Sequence, residues 1–178
     1  MTVEAALLQL LNADATFAAL VAGRVYPLES PQDGPAPFVL YATSGEDQEQ
    51  TYTSFINLYR QSFRFDCYGG PSTAQGYRTA KQAARALRRC LRDFFAGTVT
   101  DPRDGSSVAI QGLFFEGGED GLEAPAHAEG GGIDFCAVQF EVAWSELGAG
   151  ESVADAGVLL DGLGNVLVDG LGNVLVGA

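Results

Sequence analysis

Apolar residues recur along this chain at two spacings, one helical and one extended, and the changes between them predict its elements. Over residues 3–22, Val3, Leu7, Leu8 and Leu11 fall at i, i+4, i+5 and i+8, which is one face of a helix. Asn12 and Asp14 break the pattern and offer a fresh N-cap before Ala15, and Gly23 supplies a stop. Two short helices or one kinked helix are expected. Arg24-Val25-Tyr26-Pro27 leaves in extended form, because the residue before proline is pushed out of the α region. Pro31, Gly34, Pro35 and Pro37 mark an irregular loop before a short buried strand at 38–43. Residues 44–54 are polar, with Glu46, Asp47 and Glu49, and read as an exposed loop.

From 59 to 68 the alternation is clean. Tyr59, Phe63, Phe65 and Cys67 point one way and Arg60, Ser62, Arg64 and Asp66 the other, as in a half-buried strand. Gly69-Gly70-Pro71 ends it, and Ser72 or Thr73 can cap a long helix over 74–95. Its apolar stripe is Tyr77, Ala80, Ala84, Leu87, Leu91 and Phe94. Arg78, Lys81, Arg85, Arg88 and Arg92 form a second stripe roughly opposite, with Arg89 beside it. A turn at Asp101-Pro102 and Asp104-Gly105 precedes a strand at 108–115. Residues 117–132 read as a Gly-rich acidic loop. A last alternating strand, 133–144, puts Cys136, Val138, Phe140, Val142 and Trp144 on one face.

This order predicts an α+β fold: an antiparallel sheet of about four strands, packed by the N-terminal helices and one long helix. The end of the chain differs. Asp161-Gly162-Leu163-Gly164-Asn165 and Val166-Leu167-Val168 repeat after eight residues as Asp169-Gly170-Leu171-Gly172-Asn173 and Val174-Leu175-Val176. Short β-rich triplets joined by such turns read as a C-terminal β-hairpin or meander. The expected organisation is an α+β domain over 1–144, a linker over 145–157 and the repeat extension over 158–178.

Composition narrows the function. With 47% hydrophobic and 19% charged residues, a packed core is within reach. No apolar run reaches bilayer-spanning length, and the first residues lack a signal-peptide pattern, so folding in a cytoplasm is expected. Cys67, Cys90 and Cys136 are scattered within apolar segments, where free thiols behave as small hydrophobes. The net charge of −13 opposes tight nucleic-acid binding. Yet six of the ten Lys and Arg residues lie between Arg78 and Arg92. That stripe is a solvated helix face, a dock for the acidic surface of a neighbouring copy, or a transient contact with passing DNA.

Catalytic chemistry is hard to find. His127 is the only histidine and sits in the Gly-rich stretch without an orienting partner. There is no phosphate-binding Gly loop, no dinucleotide fingerprint and no H-E-x-x-H. Each Asp-Gly-Leu-Gly-Asn repeat offers one Asp and one Asn, short of the six to eight oxygens that calcium takes. No enzyme activity, cofactor or metal is expected.

The stretch from Val3 to Trp144 resembles the tail-completion or tail-terminator family of siphophages and related gene-transfer particles. The features that carry the likeness are the opening Val3-Glu4-Ala5-Ala6-Leu7 through Gly23-Arg24-Val25-Tyr26-Pro27, the segment Pro37-Phe38-Val39-Leu40-Tyr41, the strand Arg64-Phe65-Asp66-Cys67-Tyr68 leading into the Ala- and Arg-rich helix, and the close at Phe140-Glu141-Val142-Ala143-Trp144. The resemblance implies a virion protein assembled in the host cytoplasm. It implies a ring, commonly hexameric, on the head-proximal end of the tail tube. That ring would end tube polymerisation and meet the head-completion or connector protein, with at most transient contact to DNA in the channel and none to membrane. Arg78, Lys81, Arg85, Arg88, Arg89 and Arg92 are then candidates for a subunit interface or channel lining. A tail-tube subunit or head–tail adaptor is the nearest alternative; a small acidic enzyme or generic binding module is the alternative of another class.

Overall fold

A computed structural model describes residues 1–29, 35–50, 55–71, 73–123 and 132–147. The chain opens with two helices, α1 (Val3–Ala13) and α2 (Ala15–Val21), set 93° apart. Asp14 makes the corner: its carboxylate accepts from the Phe17 N–H at 2.7 Å and caps α2. Ala22 and Gly23 then turn the chain through the left-handed region and end the helix. Val3, Leu7, Leu11, Phe17 and Val21 are fully buried. Among the described residues no single helix is long and apolar enough to cross a membrane.

Among the described residues there are six strands: β1 (Val25–Pro27), β2 (Phe38–Gln50), β3 (Phe55–Pro71), β4 (Gly97–Thr100), β5 (Ser107–Glu123) and β6 (Ile133–Leu147). They form one curled sheet in the order β1-β2-β3-β6-β5-β4. β1 runs parallel to β2; all other neighbours are antiparallel. The long helix α3 (Ala74–Phe94) crosses one face of this sheet, capped by Thr73, whose hydroxyl accepts from the Gly76 N–H at 3.0 Å.

The α+β class stands, with corrections. The sheet has six strands instead of about four, because β1 and β4 are too short to show a period and exist through their pairing with β2 and β5. Residues 44–50 are not loop: they continue β2 against β3, past a bulge at Gly45, whose φ of +58° suits glycine. Residues 117–123 are not loop either, since β5 stays paired with β6 to the Glu123–Ile133 register. β6 likewise passes Trp144 and pairs Ser145 with Ala109, so the strand enters the segment read as a linker. His127 and the repeat over 158–178 lie outside the described residues.

The core lies between α3, α1, α2 and the helix-facing side of β3, β5 and β6. Phe63, Phe65, Cys67, Cys136, Val138, Phe140 and Val142 meet Ala80, Ala83, Ala84, Leu87 and Leu91. Close approach of helix to sheet is set by small residues. A Cβ on Gly69 would stand 1.9 Å from the Gly76 carbonyl oxygen and 2.6 Å from the Ala80 nitrogen, so only glycine fits there.

Candidate functional site

α3 lies over β3 and β6 and leaves the far half of β5 uncovered. Between them runs an open cleft of about 390 Å³, lined by Lys81, Arg85, Arg88, Phe115, Glu119 and Asp120 among others. The cations come from successive turns of one helix face, as their spacing requires. Phe115 and the two carboxylates come from β5. Lys81 Nζ approaches Asp120 Oδ1 at 2.5 Å, and the Tyr77 hydroxyl donates to Asp120 Oδ2 at 3.1 Å. The Lys81 ammonium holds the Asp120 carboxyl below its usual range, with smaller help from the Cys136 thiol and the Tyr77 hydroxyl. Asp120 in turn raises Lys81. Glu119 is taken by Arg64, at 2.5 Å on the side of the sheet away from α3.

Arg88 lays its guanidinium 5.0 Å from the centre of the Phe115 ring, a cation–π contact, while Phe115 stays 48% exposed. Arg85 stands exposed between this cleft and a second groove. That groove, about 540 Å³, lies between α2 and α3 and is lined by Ala19, Leu20, Arg85, Ala86 and Arg89 among others. Both carboxylates of the first cleft are thus matched by one cation each. Arg85 and Arg88 are left with no ion pair among the described residues.

The six basic residues therefore stand in different surroundings. Lys81, Arg85 and Arg88 share the cleft against β5. Arg89 faces α2, 3.8 Å from Asp14. Arg92 pairs with its neighbour Asp93 at 2.8 Å, and Arg78 is exposed with no ion pair to the described residues. Tyr77, counted in the apolar stripe, is 41% exposed and serves Asp120 through its hydroxyl. Sequence reasoning missed Phe115, Glu119 and Asp120 as parts of a site. A continuation of strand pairing across the Gly-rich stretch would have found them.

The thiols are held back from chemistry. Cys67 and Cys136 are cross-strand partners buried in the core, and all three cysteines are free. Burial pushes the Cys67 thiol far above its usual value; burial and then Asp120 push Cys136 up to about 12, and burial pushes Cys90 up to about 11. A thiol held that way is a poor nucleophile at neutral pH. Among the described residues, no three His, Cys, Asp or Glu side chains gather where they could hold a metal ion. What the cleft can do chemically is bind an anionic surface.

No curated protein matches the chain. A solved chain from the virion of a native gene transfer agent particle superposes with a TM-score of 0.52 at 25% identity, covering 80% of this chain and 94% of that one. The family described as tail completion protein gp17 matches residues 5–103, more than half of the sequence. The chain belongs to the tail completion protein family and is a structural protein of a phage-type virion tail.

Proposed function

We propose that this protein forms a closed, commonly hexameric ring on the head-proximal end of the tail tube, where it ends tube growth and presents the surface that joins the head-completion protein. The observation that carries the reading is the family match over residues 5–103, strengthened by the fit to most of a virion chain. Asymmetry of the subunit supports it. A ring needs two different surfaces that meet head to tail and close. Here one lateral side of the sheet ends, past the short β1, in the outer edge of β2, which has no strand partner beyond Tyr41 among the described residues and carries Glu46 and Asp47. Toward the other side, the outer edge of β5 has no strand partner beyond Ile110 among the described residues and is backed by the cations of α3. The unit that assembles is the α+β domain through Leu147, with the 158–178 repeat as an appended arm. No step of this role needs an active site.

Purified protein is to be sized by light scattering and imaged by electron microscopy, alone and with tail tubes. Discrete rings, or rings formed only at tube ends, are the expected result. Open-ended cylinders made of this chain alone would identify a tube subunit instead. A monomer indifferent to tubes at every concentration would overturn the ring.

A further inference from the structure

We infer that the cleft between α3 and β5 is the receptor for the acidic part of β2, Glu46 and Asp47, of the neighbouring copy. The inference rests on the ring reading and names the contact that would close it. The cleft has surplus positive charge, because Asp120 and Glu119 are matched by Lys81 and Arg64 while Arg85 and Arg88 are not. Phe115 gives it an exposed apolar floor. Its occupant must therefore bring carboxylates on a narrow element.

The β2 arm is such an element. Glu46 and Asp47 are exposed and form no ion pair with the described residues; Arg60, the register partner of Asp47, bonds Glu141 at 2.8 Å. The bulge at Gly45 breaks the regular edge just before them. Flat edge-to-edge pairing of β2 with the next copy's β5 is disfavoured, since it would bring Glu46 and Asp47 to a strand that itself carries Glu116, Glu119 and Asp120. Seating the arm behind β5, against α3, replaces that repulsion with two guanidiniums. Like-charge rejection of the wrong docking and attraction in the right one together set register.

Charge reversal from each side tests this. Arg85→Glu with Arg88→Glu, or Glu46→Lys with Asp47→Lys, should each reduce the ring population at fixed protein concentration by about tenfold or more. Unchanged circular dichroism and thermal midpoint would show that the monomers still fold. Mixing the two variants should restore rings, because cleft and arm become complementary in alternate copies; the fourfold variant should restore them in a single chain. Rings in the wild type that neither reversal disturbs would overturn this contact and leave the ring reading standing. Loss from both sides without rescue by the fourfold variant or the mixture would overturn it as well. A wild type that forms no ring on tubes would remove both.

Discussion

α3 meets the sheet in two ways along its length, and the contrast separates the half of the helix that holds the fold from the half left open to solvent. Over β3 and β6 it lays alanines and leucines on Phe63, Phe65 and Phe140, with almost nothing left to solvent. Toward β5 it meets the sheet through Lys81 on Asp120 and Arg88 on Phe115, both open to water. The first contact is worth several kcal/mol in all, since apolar burial contributes roughly 1.5–3 kcal/mol for each large side chain. The second is worth little within the monomer, because exposed ion pairs typically contribute about 0–1 kcal/mol. A surface that contributes little to folding can exchange partners at little cost. The monomer is held by one half of the helix–sheet interface and leaves the other half available.

The largest effect should come from breaking the first contact. Phe140 is 1% exposed and lies under α3, so Phe140→Ala should destabilise the fold by about 3–5 kcal/mol in a urea titration. A loss below about 1 kcal/mol would mean that the helix–sheet core is not what holds the monomer. Gly69→Ala strikes the same interface by crowding. Its new Cβ meets the backbone of Gly76 and Ala80, which cannot rotate away, so the start of α3 must lift. About 1–3 kcal/mol is expected, with a matching fall in thermal midpoint. Glycine at 76 does not relieve it, because the clash is with a carbonyl oxygen.

How much of this was legible differs between the same two regions. The covered half could be read from sequence: the alternation of Phe63, Phe65 and Cys67, that of Cys136 to Trp144, and the Ala/Leu stripe of α3 are all found in the core. The uncovered half could not. Its cations were visible from their spacing, but their partners Phe115 and Asp120 sit where glycines and acids hide the strand period. That stretch is a strand because β6 pairs with it, a long-range cause that no local window contains. The same holds for β1, β4 and residues 44–50 of β2. Gly69 read as a strand stop, whereas its place is a close approach to α3. Spacing along one element reveals a face; it does not reveal what lies opposite.

A smaller effect tests how α3 is flanked. Asp14 caps α2 through the Phe17 N–H and lies 3.8 Å from Arg89. Asp14→Ala should cost about 1 kcal/mol, nearly all of it from the cap. Arg89→Ala should then cost far less, since its contact is long and half-exposed. Equal losses in guanidinium titrations would show that the ion pair, and not the cap, seats α2 on α3.

The smallest effect sharpens the comparison from the other side. Lys81 holds the Asp120 carboxyl below its usual range, and a depressed carboxylate stabilises the fold above its unfolded value and stops doing so as pH falls through its folded one. Solvent reaches both partners, so the contribution is about 0–1 kcal/mol at neutral pH and less in high salt. Asp120→Asn should therefore lower stability slightly at neutral pH, and its difference from the wild type should vanish in acid, below the carboxylate range. A difference that persists unchanged in acid and in molar salt would mean that Asp120 acts through the Tyr77 hydroxyl bond instead of through charge. In that case the β5 side of α3 would be a fixed neutral contact, belonging to the monomer as fully as the core side does, and the availability of Arg85 and Arg88 would need another cause.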